Sequence, residues 1–148
     1  MCAAVEWIDR KGKRMKIDGA CHCGSITYEA EIDPTRVDVC HCTDCQILSG
    51  SAYRTTVPVA AEQFTMTGTP TLYTKTAENG NRRFQAFCPT CGSPIYSSAA
   101  EERPAVYNIR VGTVRQRSQL VPSVQIWCRS AQPWVNDLSN IPRVETDD

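Results

Sequence analysis

Seven cysteines stand in three short clusters whose residue types suit soft-metal coordination or thiol chemistry. They are Cys21-His22-Cys23-Gly24, Cys40-His41-Cys42-Thr43-Asp44-Cys45 and Cys88-Pro89-Thr90-Cys91-Gly92. Zinc binds thiolate sulfur at about 2.3 Å, which puts two sulfurs of one tetrahedral site about 3.8 Å apart. In an extended chain, residues i and i+2 share a face with their backbones about 6.6 Å apart. The side chains of a Cys-x-Cys pair can therefore lean onto one ion. Cys-x-x-Cys does the same on a tight turn, and Gly92 permits the positive φ on which such a turn closes.

The seven thiols divide naturally. Cys40, Cys42 and Cys45 are close enough in sequence to hold one metal with little loop-closure cost. Cys21, Cys23, Cys88 and Cys91 then make a complete four-thiolate set, tying an N-terminal strand to a turn roughly 65 residues later. A closed four-thiolate zinc site is structural, whereas three protein ligands leave the open position that catalysis requires. Other readings stay open. The four-cysteine set would also serve as a redox or disulfide set. The triplet would also serve as a second structural site completed by Cys128, His41 or Cys2, or as an unmetallated redox centre. His22 and His41 lie between chelating cysteines and are expected to point away from the metal. Cys2 is read as incidental and Cys128 as a strand residue.

These ligands need a rigid frame. Ile26, Tyr28, Ala30 and Ile32 alternate with Thr27, Glu29 and Glu31, the period of a half-buried strand. Val37–Val39 forms a short strand leading into Cys40. Thr43-Asp44 is expected to cap a short helical turn through Gln46–Ser49 that Gly50 closes. Further strands are expected over Ala52–Val59, Gln63–Thr67, Thr71–Lys75, Arg82–Phe87, Ile95–Ser98, Ala105–Val114 and Ser123–Trp127. Glu78-Asn79-Gly80-Asn81 has the composition of a hairpin turn. Residues 1–18 are polar, with Arg10-Lys11-Gly12-Lys13-Arg14 at their centre, and are read as a solvated terminus. Trp127 and Trp134 are read as core aromatics, and the Arg82-Arg83 pair as solvated, with reception of a carboxylate from an acidic thiol as its alternative. Short strands with Gly and Pro turns predict a mainly β, mostly antiparallel domain. The division is a polar segment at 1–15, one zinc-binding β domain at 16–137 and a tail at 138–148.

Composition narrows the function. The 148 residues suit one domain, and sixteen Lys+Arg balance sixteen Asp+Glu. Zero net charge makes a poor partner for a phosphate backbone, so nucleic acid is not expected. A mean hydropathy of −0.35 and short apolar runs speak against a membrane helix. An odd number of cysteines and no visible secretory signal point to reduced thiols and a cytoplasmic setting.

At the level of motifs the chain resembles the glutathione-dependent formaldehyde-activating enzyme family, also called the centromere protein V family. The similar stretches are Gly19-Ala20-Cys21-His22-Cys23-Gly24, Cys40-His41-Cys42-Thr43-Asp44-Cys45 with Ser49-Gly50, Cys88-Pro89-Thr90-Cys91-Gly92, Ile126-Trp127 and Pro133-Trp134. The resemblance covers roughly residues 16–135. It implies a zinc-bearing β-sheet domain of the β-tent type, shared with Rab-binding zinc chaperones and type B methionine sulfoxide reductases. It also implies two zinc ions per chain, structural at Cys21, Cys23, Cys88 and Cys91, and catalytic at Cys40, Cys42 and Cys45. The implied activity is that of a carbon–sulfur lyase joining formaldehyde and glutathione into S-(hydroxymethyl)glutathione, so the expected partners are a small thiol and a small aldehyde. A non-catalytic, zinc-stabilised protein-binding module is the alternative. Many family members carry a His where this chain has Gln125. If that His binds substrate or moves a proton, the chemistry here differs.

Overall fold

The computed structural model describes residues 14–147. Cys2 and all but the last residue of the basic run at 10–14 lie outside the described residues. In chain order the elements are β1 (Met15–Ala20), β2 (Thr27–Ile32), β3 (Asp38–Cys40), α1 (Thr43–Ser49), β4 (Arg54–Ala60), β5 (Phe64–Thr67), β6 (Thr71–Thr76), β7 (Arg82–Phe87), β8 (Pro94–Ala99), β9 (Val106–Arg110) and β10 (Val124–Ile126), with short 3₁₀ turns between some of them. Strands β1, β2 and β5 make a three-stranded sheet in the order β1-β2-β5, and the rest a seven-stranded sheet in the order β10-β3-β4-β9-β8-β7-β6. Every pairing is antiparallel except β10 with β3. The protein is mainly β with few helices, as the alternation predicted.

Alternation explains both the core and the site. In β2, Tyr28, Ala30 and Ile32 are buried while Thr27 and Glu29 are exposed. These residues share one core cluster with Ile17 of β1, Val57 and Val59 of β4, Ala86 of β7, Tyr96 of β8 and Ile109 of β9. Each large aliphatic side chain so buried contributes about 1.5–3 kcal/mol. Phe64 joins the two sheets through ring contacts to Tyr28, Tyr96 and Tyr107 at centroid distances of 5.7, 6.0 and 4.9 Å. Many residues of opposite parity in the larger sheet are polar, with Pro58, Tyr73 and Ala99 among the exceptions. Cys40 sits beside Arg54; Asp38, Thr56 and Arg110 form the next row; Asn108, Ser97 and Gln85 form another; Arg83 pairs with Lys75. One face of the seven-stranded sheet therefore seals the core, and the other is a polar floor.

Several elements differ from the sequence reading. Met15–Ala20, of which the sequence reading assigns residues 15–18 to a solvated terminus, is strand β1, paired along its length with β2. Only Ile17 of this strand is buried, which is why it lacks an alternating signature. The strand expected over Ala105–Val114 stops at Arg110, where a 3₁₀ turn begins. The strand expected to reach Trp127 stops at Ile126, because Trp127 takes a left-handed conformation with φ 55°. Cys128 consequently opens a 3₁₀ turn rather than lying in a strand. The hairpin at 78–81 is present, with Ala77 N–H bonded to Asn81 O at 2.8 Å and Gly80 at φ 84°.

Candidate functional site

The four-cysteine set is assembled from two turns. Cys21 and Cys23 follow β1 on a turn, not in the extended segment anticipated from Cys-x-Cys spacing; Gly24 closes it at φ 80°. Cys88 and Cys91 occupy the knuckle after β7, where Gly92 N–H donates to Cys88 O at 2.8 Å. The four sulfurs lie within 4.8 Å of one another. Cys21 to Cys23 is 3.6 Å and Cys23 to Cys88 is 3.8 Å, the separations that one tetrahedral zinc would impose. Burial pushes the Cys21 thiol up, but the Ile26 N–H and the Ser25 hydroxyl outweigh it and leave it at about 7. The hydroxyl and N–H of Ser93 hold Cys91 down at about 5. Ser25 pulls the Cys23 thiol down, but burial and its bonds to Cys21 and Cys91 outweigh this and leave it raised. Two members of the set, Cys21 and Cys91, thus favour thiolate, the form that binds a soft cation.

The second set lies elsewhere. Cys40 ends β3, Cys42 is extended, and Cys45 falls in the first turn of α1. Their sulfurs also lie within 4.8 Å of one another. The sequence reading gave the helix cap to Thr43-Asp44. It is instead Cys42, whose sulfur accepts from Cys45 N–H at 3.2 Å, and the helix ends at Gly50 with φ 66° as expected. Cys40 donating to Cys45 holds the Cys45 thiol down at about 5; burial opposes this, and Cys42, Arg54 and Arg110 reinforce it. Cys40 is pushed far up by the same bond and by burial. The neighbouring arginines favour thiolate in the triplet.

Neither histidine nor Cys128 joins a cluster among the described residues. His22 is exposed. His41 is buried, with Nε2 2.8 Å from Gln125 Oε1 and with Nδ1 lacking a partner. Gln125 thus points away from the triplet, into a separate hollow with His41 and Tyr53, while the adjacent Ile126 and Trp127 face the triplet side. Gln125 therefore partners a buried imidazole and does not face the cleft.

The triplet opens on a cleft of about 450 Å³. Its floor is the polar sheet face, with Asp38, Arg54, Thr56, Gln85 and Arg110. Its walls are α1 and the segment 126–130, held together by Gln46, whose Nε2 donates to His41 O at 2.8 Å and to Ser130 O at 3.0 Å. Two ion pairs lie at its margin, Lys75–Asp44 at 2.6 Å and Arg129–Glu78 at 3.0 Å. Trp127, expected in the core, is 40% exposed and lines the cleft, with the Arg129 guanidinium over its ring at 4.8 Å. Trp134 is exposed as well. Of the Arg82-Arg83 pair, Arg82 is exposed while Arg83 lines the cleft. Burial, with the charge on Cys45, raises Asp38 to about 6 against the pull of Arg110. Burial, with repulsion from Arg54, lowers Arg110 to about 9.

Asp38, Arg54, Gln85 and Arg110 were not singled out from the sequence. They come from β3, β4, β7 and β9, and only the register brings them together. One signal was readable: Arg54 and Thr56 put a charge and a hydroxyl on alternate positions of a strand that also carries Val57 and Val59.

Fold and clusters define a mainly β protein with two thiol groupings, one of four and one of three, each spaced to accept a metal ion. The family model of the glutathione-dependent formaldehyde-activating enzyme matches residues 16–130. The chain belongs to that family. Among solved structures, a Rhodobacter sphaeroides protein determined by a structural genomics programme is similar in fold, with a TM-score of 0.52 and 20% identity. The match covers 66% of this chain and 87% of that one. No curated protein sequence matches the chain significantly. Among the described residues, no helix is long and apolar enough to cross a membrane.

Proposed function

We propose that the protein is a zinc-dependent carbon–sulfur lyase-type enzyme that joins, or cleaves, a glutathione-like thiol and a formaldehyde-like aldehyde. The observation that carries this reading is the three-sulfur cluster of Cys40, Cys42 and Cys45 at the wall of a polar cleft, distinct from the four-sulfur cluster. Cys21, Cys23, Cys88 and Cys91 would hold a structural zinc on a β-tent frame. Cys40, Cys42 and Cys45 would hold a second zinc with room for one further ligand. Bound there, zinc supplies the means to deprotonate a substrate thiol near neutral pH, a task for which three anionic ligands suit it better than for Lewis-acid activation. The unit that does this is the domain at 16–137. A cytoplasmic setting belongs to the proposal, because thiolate ligands must stay reduced.

The chain's own residues have defined tasks in this scheme. Arg54 and Arg110 place positive charge beside the Cys45 sulfur and would favour a further anionic sulfur, from the substrate, beside the three cysteine thiolates. Ile126, Trp127 and Leu48 wall the cleft, and the floor offers polar anchors. Holding thiol and aldehyde together turns a bimolecular encounter into a positioned one. The overall step adds S–H across C=O, forming one C–S and one O–H bond with no change of oxidation state.

The test is exchange kinetics of glutathione with formaldehyde, followed by carbon NMR, on zinc-loaded protein. Cys42→Ser should lose the acceleration and one metal equivalent together. Unchanged metal content and unchanged rate in that variant would sink the proposal.

A further inference from the structure

The cleft floor contains two buried arginines, with Asp38 near Arg110 but not paired to it. Arg54 is 6% exposed and Arg110 is 8% exposed. Neither makes an ion pair among the described residues. Arg54 Nη1 and Arg110 Nη2 both donate to Gln85 Oε1, at 3.1 and 2.7 Å. Arg110 Nη1 donates to Thr56 Oγ1 at 3.3 Å, and Arg110 Nε is enclosed without an acceptor. Guanidinium groups carry more N–H donors than these bonds use. Buried arginines are rare unless paired. Here two like charges converge on one neutral oxygen.

Balancing the sulfur cluster explains part of this arrangement. Arg54 sits directly across from Cys40 in the β3–β4 register, where facing Cβ atoms are about 5 Å apart. It does not explain all of it. Lys75 with Asp44, and Arg129 with Glu78, cancel at the margin. Arg54, Arg83 and Arg110 remain, facing Asp38 and a cluster whose three thiolates a divalent ion would largely neutralise. Cations are in excess, and they line the cleft.

We propose that Arg54 and Arg110, bridged by Gln85, form a carboxylate-binding subsite beside the three-cysteine cluster, so that the cleft takes a small acid whose carboxylate lies close to its reacting sulfur or carbonyl carbon. This rests on the reading of the cleft as a substrate site. Two guanidinium forks match the two oxygens of a planar carboxylate. Asp38 and the sulfur cluster disfavour a doubly charged anion, so a carboxylate fits better than a phosphate. The acid belongs either to the thiol or to the aldehyde, and paired probes separate the two.

Binding is measured by calorimetry on the zinc-loaded full chain. The probes are 3-mercaptopropionate against 3-mercaptopropionamide, and glyoxylate against formaldehyde. An acid probe on the correct arm should bind about tenfold or more tighter than its neutral partner, the effect of one charge-assisted contact. Gln85→Glu supplies a built-in carboxylate of the same shape and should erase that preference. Arg110→Lys, which keeps the charge but loses the fork, should reduce the preference and serves if Gln85→Glu does not fold. Preference on the first arm assigns the acid to the thiol, and on the second to the aldehyde; either supports the subsite. Equal binding of acid and neutral probes on both arms would overturn it, as would an acid preference untouched by the substitution. Turnover is scored separately. Acid-selective binding without turnover keeps the subsite and removes the enzyme reading, and turnover without acid preference does the reverse.

Discussion

Gly19 lies near the end of the strand that delivers Cys21, and replacing it with Ala should be costly for a steric reason visible in the structure. A Cβ at Gly19 would lie 2.3 Å from Tyr28 Oη, 2.4 Å from Tyr28 Cζ and 2.4 Å from the Thr113 carbonyl oxygen. Two of these atoms belong to a side chain that is itself fixed: Tyr28 is 3% exposed, and its hydroxyl is 2.7 Å from Thr113 Oγ1. The third is backbone, from the turn after β9. Forcing a methyl group into such a site costs about 1–3 kcal/mol, and displacing the Tyr28 hydroxyl from Thr113 adds about 1 kcal/mol. Gly19→Ala should therefore lose roughly 2–4 kcal/mol, a large share of a typical domain's stability. Urea unfolding followed by far-ultraviolet circular dichroism would show a midpoint lower by about 1 M or more, for a slope of about 1–3 kcal/mol/M. Tyr28→Phe in the same background removes the closest atom and should recover part of the loss, so the two changes should not add. A Gly19→Ala protein with the wild-type midpoint would refute the packing argument outright.

Two further outcomes follow from the clusters. The four-cysteine set joins Cys23 to Cys88 across 65 residues, and a cross-link closing a loop of that length stabilises by about 4 kcal/mol in the chain-entropy treatment; chelation or Cys88→Ser should lower the unfolding midpoint accordingly, and a melt indifferent to both would contradict a clip at this position. Gly50 ends α1 at φ 66°, so Gly50→Ala should cost about 1 kcal/mol and loosen the helix that carries Cys45, read as weaker zinc retention at the triplet in competition with a chromophoric chelator while the four-cysteine set is unaffected.

The grouping of the cysteines was legible in the sequence because residue type and local spacing are both written along the chain. Cys40, Cys42 and Cys45 could hardly avoid one another, and Gly92 marked the knuckle that closes on Cys88. The alternation of Tyr28, Ala30 and Ile32 likewise announced a one-faced strand, and Asn79-Gly80 announced a hairpin. Strand β1 was not legible. It buries one aliphatic side chain and owes its existence to pairing with β2, a long-range contact that leaves little local trace. Trp127 was misplaced for a related reason, since nothing local signals a left-handed tryptophan at the end of β10. The cleft floor was the largest omission. Arg54, Gln85 and Arg110 are unremarkable in their own segments, and their meeting depends on the register of β4, β9, β8 and β7, which the sequence pattern alone does not set.

If the triplet is a metal site separate from the four-cysteine set, metal stoichiometry will show it. Plasma mass spectrometry on reduced protein, purified without chelator or affinity metal, should find about two zinc ions per chain, falling to about one in Cys42→Ser with the fold retained. One zinc or fewer per chain in the wild type, not raised by added zinc, would contradict a separate metal site at the triplet.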